Sequence, residues 1–133
     1  MSKLTVTRFV CYNSGMLPKN YRLKNRAAYA ATYRVKNSFY KDGVVLFAGI
    51  QKKSEEEPTK VGFVVSKKTH KRAVKRNRLK RLLRESYRLL LKENDLANSQ
   101  KYLSLIFVGY EKALGKNFDE IKSIVKYLLE ELK

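Results

Sequence analysis

Two residue types with which a small protein does acid–base or metal chemistry are nearly missing from this chain. Its 133 residues hold one histidine, His70, and one cysteine, Cys11. Acid–base catalysis by a histidine pair is therefore excluded. A zinc site needs about four ligands of these kinds, and the chain offers two, far apart in sequence. A single cysteine forms no internal disulfide and suits a reducing compartment, so a cytoplasmic location is expected. The twelve acids include Asp42, the run Glu55-Glu56-Glu57, Glu85, Glu93 and Asp95, with the rest near the C-terminus. They fall mainly at expected turns and helix ends, and no two share an apolar strand context suited to holding a pair of metal ions. The side chains of this protein are not expected to carry out hydrolysis by themselves, and no catalytic or metal-binding residue is assigned.

What the chain has in excess is positive charge. Thirty lysines and arginines stand against twelve acids, a formal net charge of +18. A folded domain with that imbalance repels itself unless a polyanion neutralises it. Nucleic acid is the first candidate partner and an anionic membrane surface the second. No apolar run approaches the roughly 20 residues of a spanning helix, so no membrane partner is expected. The charge is concentrated between Lys67 and Lys92, where twelve lysines and arginines face one acid, Glu85. In the same segment Leu79, Leu82, Leu83, Ser86, Tyr87 and Leu90 recur at helical spacing, which predicts an amphipathic helix. Asn77, Arg81, Arg84 and Arg88 fall in one sector roughly opposite the leucines, flanked by Arg78 and Lys80. A merely solvated helix face mixes signs and gains from pairs four residues apart. Seven cations between Lys75 and Arg88 have no such pairing, so the sector reads as a polyanion-binding face. Its preference for arginine favours bidentate phosphate recognition. Lys67 and Lys68 precede the helix and extend that face.

Around this segment the elements follow from pattern. A hydrophobic fraction of 44% is enough for a core, and the length suits one domain. Arg22–Arg34 reads as a first helix on which Tyr29 and Tyr33 stand side by side. Two roles are open to these rings: packing on a sheet, or a stacking platform for unpaired bases. The basic character of the chain favours stacking. Ser38–Tyr40 and Val44–Ile50 flank Asp42-Gly43, a hairpin signal. Gln51–Lys60 is a polar loop, and Val61–Ser66 and Tyr102–Val108 are apolar strands. Asn117, with Glu120 three residues on, suits the start of a last helix whose stripe is Phe118, Ile121, Ile124, Val125, Leu128 and Leu132. Residues 1–18 read as a flexible arm or upstream extension. They lack the apolar core and cleavage site of a secretory signal, and their basic, acid-poor start leaves a transit peptide as a second reading. The order predicts one α+β domain over 19–133, helices packed on a small sheet.

The stretch Ala73-Val74-x-Arg76-Asn77-Arg78-Leu79-Lys80-Arg81-x-Leu83-Arg84 resembles the signature of the bacterial ribonuclease P protein component. VGFVVSKK (61–68) is similar to that family's third strand and lysine pair, and Tyr21-Arg22-Leu23-Lys24-Asn25 with Tyr29 and Tyr33 to its first helix. The resemblance spans about residues 16–132. His70 stands where an apolar residue is common, tyrosines stand where phenylalanine is frequent, and residues 1–15 have no counterpart. The resemblance implies a two-layer α-β-β-β-α-β-α sandwich, like a domain of a ribosomal protein, with a left-handed β-α-β crossover. Strand physics alone favours the right-handed one. It further implies that a catalytic RNA, holding Mg²⁺, hydrolyses the bond between a 5′ leader and mature tRNA. Lys67, Lys68, Arg76, Asn77, Arg78, Lys80, Arg81, Arg84 and Arg88 would bind that RNA. Tyr29, Tyr33, Arg22 and Lys24 would bind the leader of precursor tRNA. No cofactor bound by the protein alone and no obligate protein partner are implied. The alternative is a ribosomal or other structural RNA-binding protein. A protein-only nuclease is disfavoured by the scarcity of clustered acids, and a DNA-reading helix by arginines spread around the helix rather than aimed at base edges.

Overall fold

The tightest local constraint in the chain is the two-residue turn Asp42-Gly43. Both residues have positive φ, 45° and 93°, the combination that matches the twist of two antiparallel strands. It joins β1 (Asn37–Lys41) to β2 (Val44–Ala48). Gly43 is needed twice over, since a Cβ there would also lie 2.6 Å from the Ala113 backbone nitrogen. In the computed structural model, which describes residues 21–53, 58–68, 71–93 and 99–132, β3 (Lys60–Val65) and β4 (Ser104–Gly109) complete a sheet of order β1-β2-β4-β3. β4 pairs antiparallel with β2 and parallel with β3. Among the described residues three α-helices accompany the sheet: α1 (Arg26–Arg34), α2 (Ala73–Lys92) and α3 (Phe118–Glu130). The α+β class and the order α-β-β-β-α-β-α agree with expectation. The expected arm of residues 1–18, with Cys11, lies outside the described residues, as do Glu55–Glu57 and His70.

Strand alternation divides the sheet into two faces. On one, the register aligns Leu46, Phe107 and Phe63. Leu79, Leu83, Tyr87 and Leu90 of α2 and Ile121, Val125 and Leu128 of α3 close over it as the main core. On the other, Phe47, Ile106 and Gly62 are aligned, as are Val45, Val108 and Val64. Among the described elements α1 lies there, with Leu23, Tyr29 and Tyr33 against a smaller cluster. The second face is thus covered in part.

Several element ends differ from the pattern reading. The first helix starts at Arg26 rather than Arg22, because the Asn25 side chain caps it, accepting from the Ala27 N–H at 2.8 Å. The residues before it run extended, with Leu23 N–H donating to the Val61 carbonyl at 3.0 Å. β2 ends at Ala48, yet bonding to the β4 side of the sheet runs on past it, from the Gly49 N–H to the Ser104 carbonyl at 2.9 Å and from the Leu103 N–H to the Ile50 carbonyl at 2.8 Å. The end expected at Asn117 is present in full: its side chain accepts from Glu120 N–H while Glu120 accepts from the Asn117 N–H. Gly43→Ala would force both a left-handed backbone and a collision with Ala113. It is expected to lower stability by about 1–3 kcal/mol, read as a reduced urea midpoint with an unchanged slope.

Candidate nucleic-acid interface

α2 joins two adjacent parallel strands, so its apolar stripe must lie on the sheet and its opposite side must face outward. Leu79, Leu83, Tyr87, Leu90 and Leu91 are buried along it. The other side carries the expected cations. Asn77, Arg78 and Arg81 are exposed, and Arg76, Lys80 and Arg84 are half-buried. Arg78 is steadied by donating from Nη2 to the Lys116 carbonyl at 3.2 Å. The Arg84 guanidinium sits 5.9 Å from the centre of the Phe63 ring, within cation–π range. The Nε of Arg76 is buried with no hydrogen-bond partner among the described residues. An unmet buried donor of this kind favours a partner that supplies an acceptor. Lys67 and Lys68 lie exposed in the turn after β3, beyond the start of α2.

Arg88 does not share this environment. The wheel places it in the arginine sector, yet it is only 8% exposed. Its Nε donates to Glu85 Oε1 at 3.0 Å, and its Nη2 pairs with the same oxygen. The lone acid of the segment thus takes the charge of one arginine and turns it along the helix. A wheel counts only the helix axis and is blind to both effects.

The second surface is the partly covered sheet face. The Tyr29 ring lies on Gly62, where an added Cβ would come within 2.2 Å of the Tyr29 hydroxyl oxygen. The Tyr33 ring meets Phe47 edge to face, with centroids 4.8 Å apart and planes at 80°. α1 therefore forms a wall carrying two aromatic rings, and the half-buried Val45 and Val64, with buried Val108 aligned between them, form the floor of a shallow trough beside it. Partial burial raises the pKa of both phenols above the ordinary value for tyrosine, and at Tyr33 the neighbouring Tyr29 and Tyr110 add to this. Both hydroxyls are neutral at physiological pH. Arg22 is half-buried with its backbone bridged to Val61, one residue from Gly62. Lys24 is exposed just before the cap of α1, and no described contact ties it to the trough.

Phe47, Gly62 and Tyr110 take part in this surface and were not among the candidates read from sequence. Phe47 was available from strand alternation, which puts it with Val45. Gly62 carried the usual meaning of a glycine inside a strand, close approach by another group. Tyr110 follows β4, and only the fold brings it near Tyr33. Among the described residues no three of His, Cys, Asp and Glu converge to hold a metal, and no helix is long and apolar enough to cross a membrane.

A basic helix and two half-buried tyrosine rings thus lie on opposite faces of the sheet of one α+β domain. The ribonuclease P family model matches residues 17–133. The ribonuclease P protein component of Clostridium kluyveri is 34% identical over 110 residues, 83% of this chain and 92% of the relative. That of Symbiobacterium thermophilum is 35% identical over 114 residues, 86% and 92% of the two chains. Among solved structures, the RNase P protein of Staphylococcus aureus superposes with a TM-score of 0.69 at 24% identity, covering 85% of this chain and 95% of that one. The Thermotoga maritima RNase P protein gives 0.65 at 20% identity, covering 84% and 97%. At these identities the superpositions speak for the fold. The chain belongs to the ribonuclease P protein family.

Half-burial separates Tyr29 and Tyr33 from true core rings such as Tyr87, which is fully buried. Tyr87→Ala is expected to cost about 3–5 kcal/mol of stability, and Tyr29→Ala or Tyr33→Ala less than half of that. Urea unfolding of the three variants, side by side, checks the order.

Proposed function

We propose that this chain is the protein subunit of a ribonuclease P ribonucleoprotein in the cytoplasm. In this reading α2 and the Lys67-Lys68 turn bind the catalytic RNA, and the trough beside α1 holds the single-stranded 5′ leader of precursor tRNA. The observation that carries it is the pairing of the two surfaces on a chain of this family: an outward arginine face on one side of the sheet, half-buried aromatic rings on the other. Phosphate contacts supply affinity and salt dependence, and stacking on Tyr29 and Tyr33 holds unpaired bases without regard to their identity. Mg²⁺ belongs to the RNA in this reading, which supplies the metal-activated hydrolysis. In this reading the protein's own residues bind and position only. Arg76, Asn77, Arg78, Lys80, Arg81 and Arg84 hold the RNA. Arg22 and Lys24 bring charge to the trough end of α1. Arg88, already engaged by Glu85, is assigned to shaping the helix surface.

The test is reconstitution. Rigorously RNA-free protein should leave precursor tRNA intact, and adding it to a bacterial ribonuclease P RNA should restore cleavage at low Mg²⁺. The gain should be larger for a substrate with a long leader than for one with almost none, and Tyr29→Ala with Tyr33→Ala should erase that difference. Cleavage by the protein alone would overturn the reading.

The arginine face makes a separate forecast. Arg81→Ala with Arg84→Ala should weaken binding to the catalytic RNA and flatten its salt dependence, by about one unit of logarithmic slope for each phosphate the protein no longer neutralises. Stability should change by roughly 0.5 kcal/mol or less at exposed Arg81, and somewhat more at Arg84, which also covers Phe63. Filter binding across a salt series measures the slope.

A further inference from the structure

Behind α1, on the side away from Tyr29 and Tyr33, lies a second hollow of about 560 Å³. Its walls are Leu23, Ala28, Ala31, Ile50, Pro58 and Leu103, and Ile50 stands 56% exposed there. The hydroxyls of Thr32 and Ser104 at its base satisfy each other at 2.6 Å. Among the described residues Lys60 is the one charged member of the lining. A hollow so apolar, with its polar groups already paired, favours an apolar occupant.

Three observations point to the same occupant. The described chain begins at Tyr21, and Leu23, two residues on, is part of the wall, held there by its bond to Val61. Whatever precedes Tyr21 is therefore tethered at the rim and presented at high effective concentration. The preceding residues include one apolar group, Phe9, Val10 and Tyr12. The stretch from Tyr12 to Tyr21 can span up to about 30 Å, ample to return to a wall it starts from, and Gly15 and Pro18 suit a turn. Charge agrees. Residues 1–20 carry Lys3, Arg8 and Lys19 and no acid, whereas the wall residue Pro58 directly follows Glu55-Glu56-Glu57, the one acidic run of the chain. The family match begins only at residue 17, so this segment is additional to what the family model covers.

We propose that Phe9, Val10 and Tyr12 of the chain's own N-terminal segment seat in the hollow behind α1 and brace the helix from the side opposite the trough. The seating needs no RNA and is tested without it. Cys11, the single cysteine, lies within the proposed contact and accepts a nitroxide label. In the labelled full chain, methyl resonances of Ala31, Ile50 and Leu103 should lose intensity while those of Val45 and Val64 in the trough keep theirs. In the unlabelled chain, Phe9→Ser with Val10→Ser and Tyr12→Ser should shift the same three methyl signals and leave the trough signals in place. Intensity loss spread evenly, or confined to the trough, together with unmoved signals in the triple variant would overturn the proposal. Loss seen only between a labelled molecule and a separate isotope-enriched one would assign the hollow to a second copy. An unpaired oligonucleotide that moves the Ile50 and Leu103 signals equally with and without the three substitutions would assign it to RNA. Either result also overturns it.

Discussion

Strand β4 is buried along its whole length between a parallel and an antiparallel neighbour, and everything else in the molecule answers to that burial. A parallel neighbour cannot be reached by a tight turn, so the chain must cross between β3 and β4 by a long connection. That connection is α2, the longest helix and the most basic stretch. Its leucines are pinned over the Leu46–Phe107–Phe63 face, so its arginines have one direction left. The charge of the surface is placed by the hydrophobic demand of the strand beneath it.

The same strand has a second face, and the described residues cover it incompletely. α1 is short, and among its described residues only Thr32 is buried. It crosses the sheet on aromatic rings and small side chains and leaves Val45, Val64 and Val108 beside it. Among the described elements, two helices on one face and one on the other thus give a closed core and a shallower second side. Mutual repulsion among the cations of α2 is tolerated because the leucine side of the same helix is fully engaged. It also means that salt should stabilise the isolated protein, as screening relieves the repulsion.

Much of this was legible from residue patterns because the elements obey local rules. The Asp42-Gly43 hairpin, the Asn117–Glu120 cap and the leucine stripe each need only a few neighbouring residues to be recognised. The arginine face was legible for the same reason, except at Arg88, whose burial depends on Glu85 and on packing near the helix end. The start of α1 was misread because Tyr21–Leu23 continues the apolar spacing of the helix while its backbone pairs with β3. The trough was half visible: the rings on α1 were evident, and their floor was not. Which strand residues lie under a helix depends on the sheet order, and that order is set by contacts distant in sequence.

Gly62 links these levels in one position. The Tyr29 ring occupies the space its missing side chain would fill, so the height of α1 above the sheet is set there by a hydrogen atom. Positions 29 and 62 are therefore not independent over evolutionary time. A larger residue at 62 is admissible only after the ring at 29 has shrunk or turned away, and a shrunken residue at 29 leaves a void until 62 grows. Among relatives the two sites should drift as a pair, with the large member always on the same side, and the order of the two steps decides whether an intermediate lineage keeps its trough.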